Sequence, residues 1–278
     1  MQNSAPLHIL LTNDDGHNAP GIRAMHQVLK RSGYRVSMVA PSTEQSATGM
    51  SVTSRRNLAL QEIDENCWHL DGQPVDTVLV ALRHLLDDDP PDLVISGINF
   101  GPNLGTALHM SGTIGAAIVA TLNGVPSIAI SAGMRFDEVD KEFPSTYEIF
   151  EPAAEFTCSV IDSLRSTSGE NGRLLPKEIL LNINYPALPR EKIKGVLHPQ
   201  ISSGRMITLG YHRCSETGDV VPRYYAGVNP ENPQKETEDV RAHLEGYITI
   251  SAIRPRWNPS GKQAEKMRQR LLTLGRDF

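Results

Sequence analysis

Asp14 and Asp15 stand side by side before Gly16, just past an apolar run at residues 7–12 (LHILLT). Carboxylates this close repel one another unless something neutralises them, and a divalent cation does so. Neighbouring side chains on an extended strand point to opposite faces, but Gly16 lets the backbone turn, so both carboxylates can face one crevice. Read alone, the same pair could equally cap a coming helix or make a turn.

Ser46, in PSTEQSATGMS, offers a hydroxyl, and Asn99, in SGINFGPNLG, offers a carbonyl. With Asp14 and Asp15 they make an oxygen-only donor set, which suits one Mg²⁺ or Mn²⁺ and disfavours the His- or Cys-rich shell of zinc. Taken singly, Ser46 also reads as a loop hydroxyl meeting water and Asn99 as a left-handed turn residue. Ser111, Gly112 and Thr113 open a segment of helical period, where free N–H groups, the positive dipole end and two hydroxyls make an anion site fit for a phosphoryl group. Ordinary N-capping by Ser111 accounts for the same residues. Asn103 adds a side-chain donor in a loop with Gly97, Gly101 and Gly105, whose plainer reading is a tight strand-to-helix connection. That spacing matches neither the dinucleotide-binding GxGxxG nor the P-loop. His17 and His109 are the histidines beside these segments; each could be a general acid or simply a polar loop residue.

A metal-assisted phosphomonoester hydrolysis uses all of these groups. Asp14 or Asp15 would orient or deprotonate a water, and the amides at residues 111–113 would stabilise charge developing on the phosphoryl oxygens. Direct attack by an aspartate on phosphorus is the other chemical route.

These residues can meet only if the chain brings its loops to one rim. The first hundred and thirty residues alternate short β-branched runs with segments of helical period, the pattern of a parallel sheet with crossover helices. Strands are expected at residues 7–12, 34–40, 92–96 and 127–131, and helices from Pro20 to the stop at Gly33, at 75–86 and at 112–122. Ile22, Met25, Val28 and Leu29 give the first helix one apolar face. Each polar signal then follows a strand end, where open parallel sheets bind ligands. Residues 51–72 read as strand pieces with a protruding hairpin turn at Asp71-Gly72. Later come a helix at 145–164, a polar loop at 166–172, strands at 179–183 and 247–253 and a helix at 260–274, with a polar stretch at 200–240 that could be an arm, a lid or a partner-binding loop.

The chain carries 27 Lys and Arg against 32 Asp and Glu, a net charge of −5, mixed along its 278 residues. No basic stripe suggests a nucleic-acid duplex as partner. Cys67, Cys158 and Cys214 lie far apart and make neither a disulfide framework nor a zinc ribbon. Residues 1–6 lack the pattern of a signal peptide, and no apolar run is long enough to span a membrane, so a cytoplasmic protein is expected.

Taken together, ILLTNDDG, HNAPG, the APSTEQSATGMS loop, DGQPVDTV, PDLVISGINFGPNLG and MSGTIGAA resemble the SurE family, the stationary-phase survival nucleotidases. The matches run in order from about residue 8 to 131, and LLNINYP and DVRAHLEGYITIS resemble later family segments. The resemblance implies a single Rossmann-like three-layer αβα domain with a mostly parallel sheet. Its core would cover about 7–135 and 175–255, with an arm at about 200–240 and a C-terminal helix at about 260–275. It implies one Mg²⁺ or Mn²⁺ per subunit on Asp14, Asp15, Ser46 and Asn99, with phosphate held by Asn103, Ser111, Gly112 and Thr113. It further implies hydrolysis of nucleoside 5′- or 3′-monophosphates, in some members also of short polyphosphate, and a homodimer or homotetramer. Many members carry basic residues before the ligand serine, in a pattern like RNRS, where this chain has Thr43-Glu44-Gln45. A noncatalytic module that senses a nucleotide in the same crevice is the alternative reading.

Overall fold

The computed structural model describes residues 6–135, 145–167, 172–226, 238–256 and 261–272. Its centre is β1 (His8–Thr12), every residue of which is buried. A strand covered on both faces needs apolar residues throughout, and Ile9, Leu10 and Leu11 are fully inaccessible to solvent. Parallel partners flank it, β2 (Arg35–Pro41) on one side and β5 (Leu93–Phe100) on the other.

Nine strands form the main sheet, in the order β3 (Leu60–Asp64), β4 (Cys67–Leu70), β2, β1, β5, β6 (Ser127–Ala132), β7 (Leu180–Tyr185), β11 (Ile248–Ile253) and β8 (Val196–Leu197). Beyond β5 lie β6, parallel to β5, and β7, parallel to β6. Then β11 (Ile248–Ile253) runs antiparallel to β7, with the short β8 (Val196–Leu197) at the edge. Because β2 and β5 leave β1 in opposite directions across the sheet, the carboxyl end of β1 is a switch point with an open crevice above it.

Helix α1 (Pro20–Arg31) begins on Pro20, which needs no N–H there, and buries Ile22, Met25, Val28 and Leu29 as its spacing requires. It packs on one face of the sheet with α4 (Phe150–Ser166), around an apolar cluster that includes Ile9, Leu11 and Phe150. Helices α2 (Pro74–Val80) and α3 (Gly112–Leu122) cover the other face, around Leu10, Val39 and Ala116. Ten of the eleven residues of α3 are buried, so it is apolar nearly all round.

Three expectations need correction. The hairpin of β3 (Leu60–Asp64) and β4 (Cys67–Leu70) turns at Glu65 and Asn66, where Asn66 takes φ +58°, and it extends the sheet edge beside β2. Asp71-Gly72 instead leads into α2, and a Cβ on Gly72 would lie 3.1 Å from Asp76. The helix expected at 75–86 is α-helical only over α2 and continues as a π-helical stretch at Ala81–Leu85. Strand β5 runs past residue 96 to Phe100 through an irregularity between Ser96 and Asn99, so Asn99 pairs with Ser131 on the sheet rather than lying in a loop. Gly97 permits the bulge: at φ +137°, a Cβ there would lie 2.2 Å from the Ile130 carbonyl oxygen.

The polar stretch contains a two-stranded antiparallel sheet separate from the main one, β9 (Ile207–Arg213) with β10 (Val220–Ala226), in the segment read above as an arm, a lid or a partner-binding loop. Its expected continuation at 227–237 lies outside the described residues, as do 168–171 of the polar loop and residues 260 and 273–275 of the C-terminal helix. The chain returns through α5 (Asp239–Leu244), and α6 (Lys262–Leu271) buries none of its residues.

Candidate active site

Asp14 and Asp15 lie just beyond β1 in a bend closed by Gly16 at φ +96°. The Asn13 amide nitrogen donates to the Gly16 carbonyl at 2.8 Å and fixes that bend. The backbone thus turns as the glycine allows, and both aspartates are drawn inward, Asp14 being only 3 % exposed.

Each aspartate is tied to a different segment. The Thr113 hydroxyl donates to Asp14 Oδ1 at 2.7 Å, and the Asp14 carbonyl accepts the Gln45 amide at 2.7 Å. Asp15 Oδ2 accepts the Phe100 amide at 3.0 Å. The loop after β2, the end of β5 and the start of α3 therefore all anchor on two consecutive residues. Gly112 makes this possible, since a Cβ there would sit 2.9 Å from Asp14 Oδ2 and 3.0 Å from Pro74 Cγ.

The electrostatics of the pair are unfavourable as they stand. Burial pushes the Asp14 carboxyl above its usual range, opposed by Thr113, with Glu44 adding to the rise. Asp15 is pushed up to about 7, by burial first and then by the Asp14 charge, with the Phe100 amide working against them and Glu44 with them.

Of the other expected residues, Thr113 bonds to Asp14 directly, Ser46 and Asn99 adjoin residues whose backbone amides bond to the pair, and Asn103 is held elsewhere on β6 and β7. Ser46 is exposed, follows the Gln45 amide that binds Asp14, and is held through its own amide by Glu44 Oε1 at 2.8 Å. Asn99 donates its side-chain amide nitrogen to the Gly101 carbonyl at 2.6 Å, which fixes the side chain and leaves its side-chain oxygen as the atom it could offer a cation. Ser111 caps α3, accepting the Ile114 amide at 3.2 Å, so the capping reading of this serine holds whatever else it does. The Thr113 hydroxyl is given to Asp14, which leaves backbone N–H groups as what the start of α3 offers an anion.

Asn103 is buried, and its amide nitrogen donates to the Ser131 hydroxyl at 2.9 Å. Its backbone is gripped as well: Asn184 Oδ1 accepts its N–H at 2.8 Å, and the amides of Asn182 and Asn184 donate to its carbonyl at 2.9 and 3.1 Å. Of the two histidines, His17 stacks on His69 with ring centroids 4.8 Å apart and pairs with the Asn18 amide. His109 is exposed on the 3-10 turn Gly105–Met110, its Nδ1 3.1 Å from the Thr106 carbonyl.

Asn182 and Asn184 escaped the sequence reading. The signal was present: two asparagines two apart in LLNINY fall on one face of a buried strand, where a polar group persists only if it is bonded. Asp239, which accepts the Gly105 amide at 2.9 Å, lies 134 residues away and carried no local signal.

Fold and site together define a doubly wound α/β protein with a largely sheltered carboxylate pair and a helix N-terminus meeting at its switch point. Residues 9–207 match the family described as Survival protein SurE, and the chain belongs to that family. It is 40 % identical over 253 residues to the 5′-nucleotidase SurE of Carboxydothermus hydrogenoformans, covering 87 % of this chain and 89 % of that one. The 5′-nucleotidase SurE of Thermosynechococcus vestitus is 36 % identical over 261 residues, covering 89 % of this chain and 90 % of that protein. A crystal structure of the SurE protein from Aquifex aeolicus superposes with a TM-score of 0.77 at 30 % identity, covering 95 % of this chain and 99 % of that one.

Proposed function

We propose that the chain is a divalent-metal-dependent 5′-nucleotidase that hydrolyses nucleoside monophosphates to nucleoside and phosphate. The observation that carries this reading is the pair of repelling aspartates, one buried and one half-buried, at the crevice where three segments converge. The relatives named 5′-nucleotidase SurE support the substrate class.

The donor set fits a hard cation. Two carboxylates whose proximity is costly, the Asn99 carbonyl and the Ser46 hydroxyl supply oxygen alone, as Mg²⁺ and Mn²⁺ prefer. When bound, the cation supplies Lewis acidity toward a phosphoryl oxygen and lowers the pKa of water beside it. Asp14 and Asp15 hold that cation, and one of them takes the proton of the attacking water. The Thr113 hydroxyl keeps Asp14 in a single orientation. Backbone N–H groups at the start of α3, with Asn103, hold the phosphate and stabilise the charge that builds on its oxygens. The water oxygen bonds to phosphorus as the bond to the nucleoside oxygen breaks, and that oxygen leaves as the alcohol after gaining a proton.

Activity on 3′-monophosphates is part of the same proposal. Glu44 adds negative charge near the pair, which favours monoesters over short polyphosphate, and tripolyphosphate set against AMP tests this. We read the chain as one domain working in the cytoplasm as a homodimer or homotetramer. Met267, Leu271 and Leu272, exposed on and just after α6, support self-association. No helix among the described residues is long and apolar enough to cross a membrane.

The test is phosphate release from AMP and GMP with added Mn²⁺. Release that stops on chelation is expected. Protein that binds nucleotide and releases nothing would instead be a sensing module.

A further inference from the structure

The Asp239 carboxylate has no place in the chemistry, yet it is fully buried and joins three separate segments. Its Oδ2 accepts the Gly105 amide at 2.9 Å, and its Oδ1 accepts the amides of Ser202 and Val240, both at 2.8 Å. Gly105 closes the loop that carries Asn103. Ser202 lies on the chain entering the arm, and Val240 on α5, which follows it.

The surrounding contacts converge on the same junction. The Thr106 amide donates to the Gly204 carbonyl at 3.0 Å, and Arg205 Nε donates to the Thr106 hydroxyl at 2.9 Å. Leu104, Met206 and Val240 form a small apolar cluster of their own. At Gly105 the backbones are so close that a Cβ would lie 2.2 Å from the Gly204 carbonyl oxygen. The loop is therefore held on one side by Asn182 and Asn184 and on the other by the root of the arm.

We propose that Asp239 is a positioning residue for substrate, locking the 103–105 loop to the root of the arm so that Asn103 meets the phosphate. The inference rests on the reading of Asn103 as a phosphate contact. A buried carboxylate can accept N–H groups on both oxygens at once, and an amide of the same shape cannot. In Asp239→Asn the remaining oxygen keeps Ser202 and Val240, because the reverse orientation would lose two bonds to save one. The new NH₂ group then faces the Gly105 N–H, donor against donor, and the damage falls on the loop.

The experiment compares wild type and Asp239→Asn for AMP turnover, inhibition by inorganic phosphate and Mn²⁺ binding. KM for AMP and Ki for phosphate are expected to rise about tenfold, as loss of one buried hydrogen bond implies. Mn²⁺ affinity is expected to stay within about twofold, since none of the proposed ligands bonds to Asp239. A variant with a lower melting temperature but unchanged KM and Ki would show a merely structural clip and overturn the inference. Gly105→Ala, which pushes the loop off Gly204 with Asp239 intact, should reproduce the loss of phosphate affinity; unchanged affinity there also counts against it. Should neither variant fold, amide exchange on wild type decides. Phosphate should slow exchange at 101–106, 200–204 and 238–242 together, and protection confined to 101–106 overturns the coupling. Wild type that neither releases phosphate from AMP nor binds it overturns the nucleotidase reading, and this inference with it. Wild type that does both while Asp239→Asn matches it overturns this inference alone.

Discussion

Two sets of buried carboxylates in this molecule face the same cost of burial and meet it differently. Asp239 is surrounded by backbone N–H groups from three segments, which offset the desolvation that pushes its pKa up. Asp14 is buried and Asp15 half-buried, but their donors are few: burial and Glu44 raise both, and the Asp14 charge raises Asp15 further. A carboxylate whose partners all come from the chain holds the chain together. A pair left repelling at a crevice lacks that closure, and the cation proposed above is what would supply it.

The comparison breaks most visibly at Asp15. Asp15→Asn should lower nucleotidase turnover by at least about 10³-fold, as removal of a residue from a catalytic unit does. The melting temperature without metal should hold or rise, because the substitution removes like-charge repulsion. Turnover comparable to wild type would place the chemistry elsewhere. Gly112→Ala comes next: its Cβ would press on Asp14 Oδ2, and a displacement of this kind should cost about 10²-fold in kcat/KM. Full activity in that variant would mean that Asp14 has room the structure does not give it.

The pH dependence of stability is the smallest effect and the one most specific to the pair. Asp15 in the metal-free folded protein holds its proton up to about 7, whereas the unfolded chain releases it in the ordinary carboxylate range. The native state then binds more protons between those limits, so this contribution is present at low pH and is lost as pH rises toward 7. His243, held neutral by burial with a pKa of about 4 against 6.5 in the unfolded chain, acts in the opposite sense over most of the same window. The difference in melting temperature between wild type and Asp15→Asn isolates the Asp15 part. Metal-free wild type should lose ground to the variant as pH rises from 5 to 8, and a constant difference would contradict the raised pKa.

Much of the scaffold was legible because its signals are local. Pro20 starts α1, the spacing of Ile22, Met25, Val28 and Leu29 sets its buried face, and Gly112 to Leu122 begins and ends where its pattern does. The hairpin turn was misplaced because Asp71-Gly72 is a common turn pair, while Asn66 in a left-handed conformation is a weaker signal. The run of β5 past Ser96 was hidden by glycines that read as a loop and serve as a bulge. In the candidate site, Asp14 and Asp15 announced themselves by adjacency and Gly16. That Thr113 spends its hydroxyl on Asp14 could not be read from a helix start alone. Asp239 was illegible for a plainer reason: its partners at Gly105 and Ser202 are brought to it only by the fold.

The most direct test of the account is a calorimetric titration of metal-free protein with Mn²⁺ near pH 6, repeated in buffers of different ionisation enthalpy. One ion per chain should bind with release of protons, because carboxyls held above their usual range must ionise to accept it. Binding should vanish in Asp14→Asn and Asp15→Asn and survive in Asp239→Asn. Undiminished binding in the first two variants, or uptake of the ion with no proton released, would contradict the claim that this aspartate pair is built around a cation.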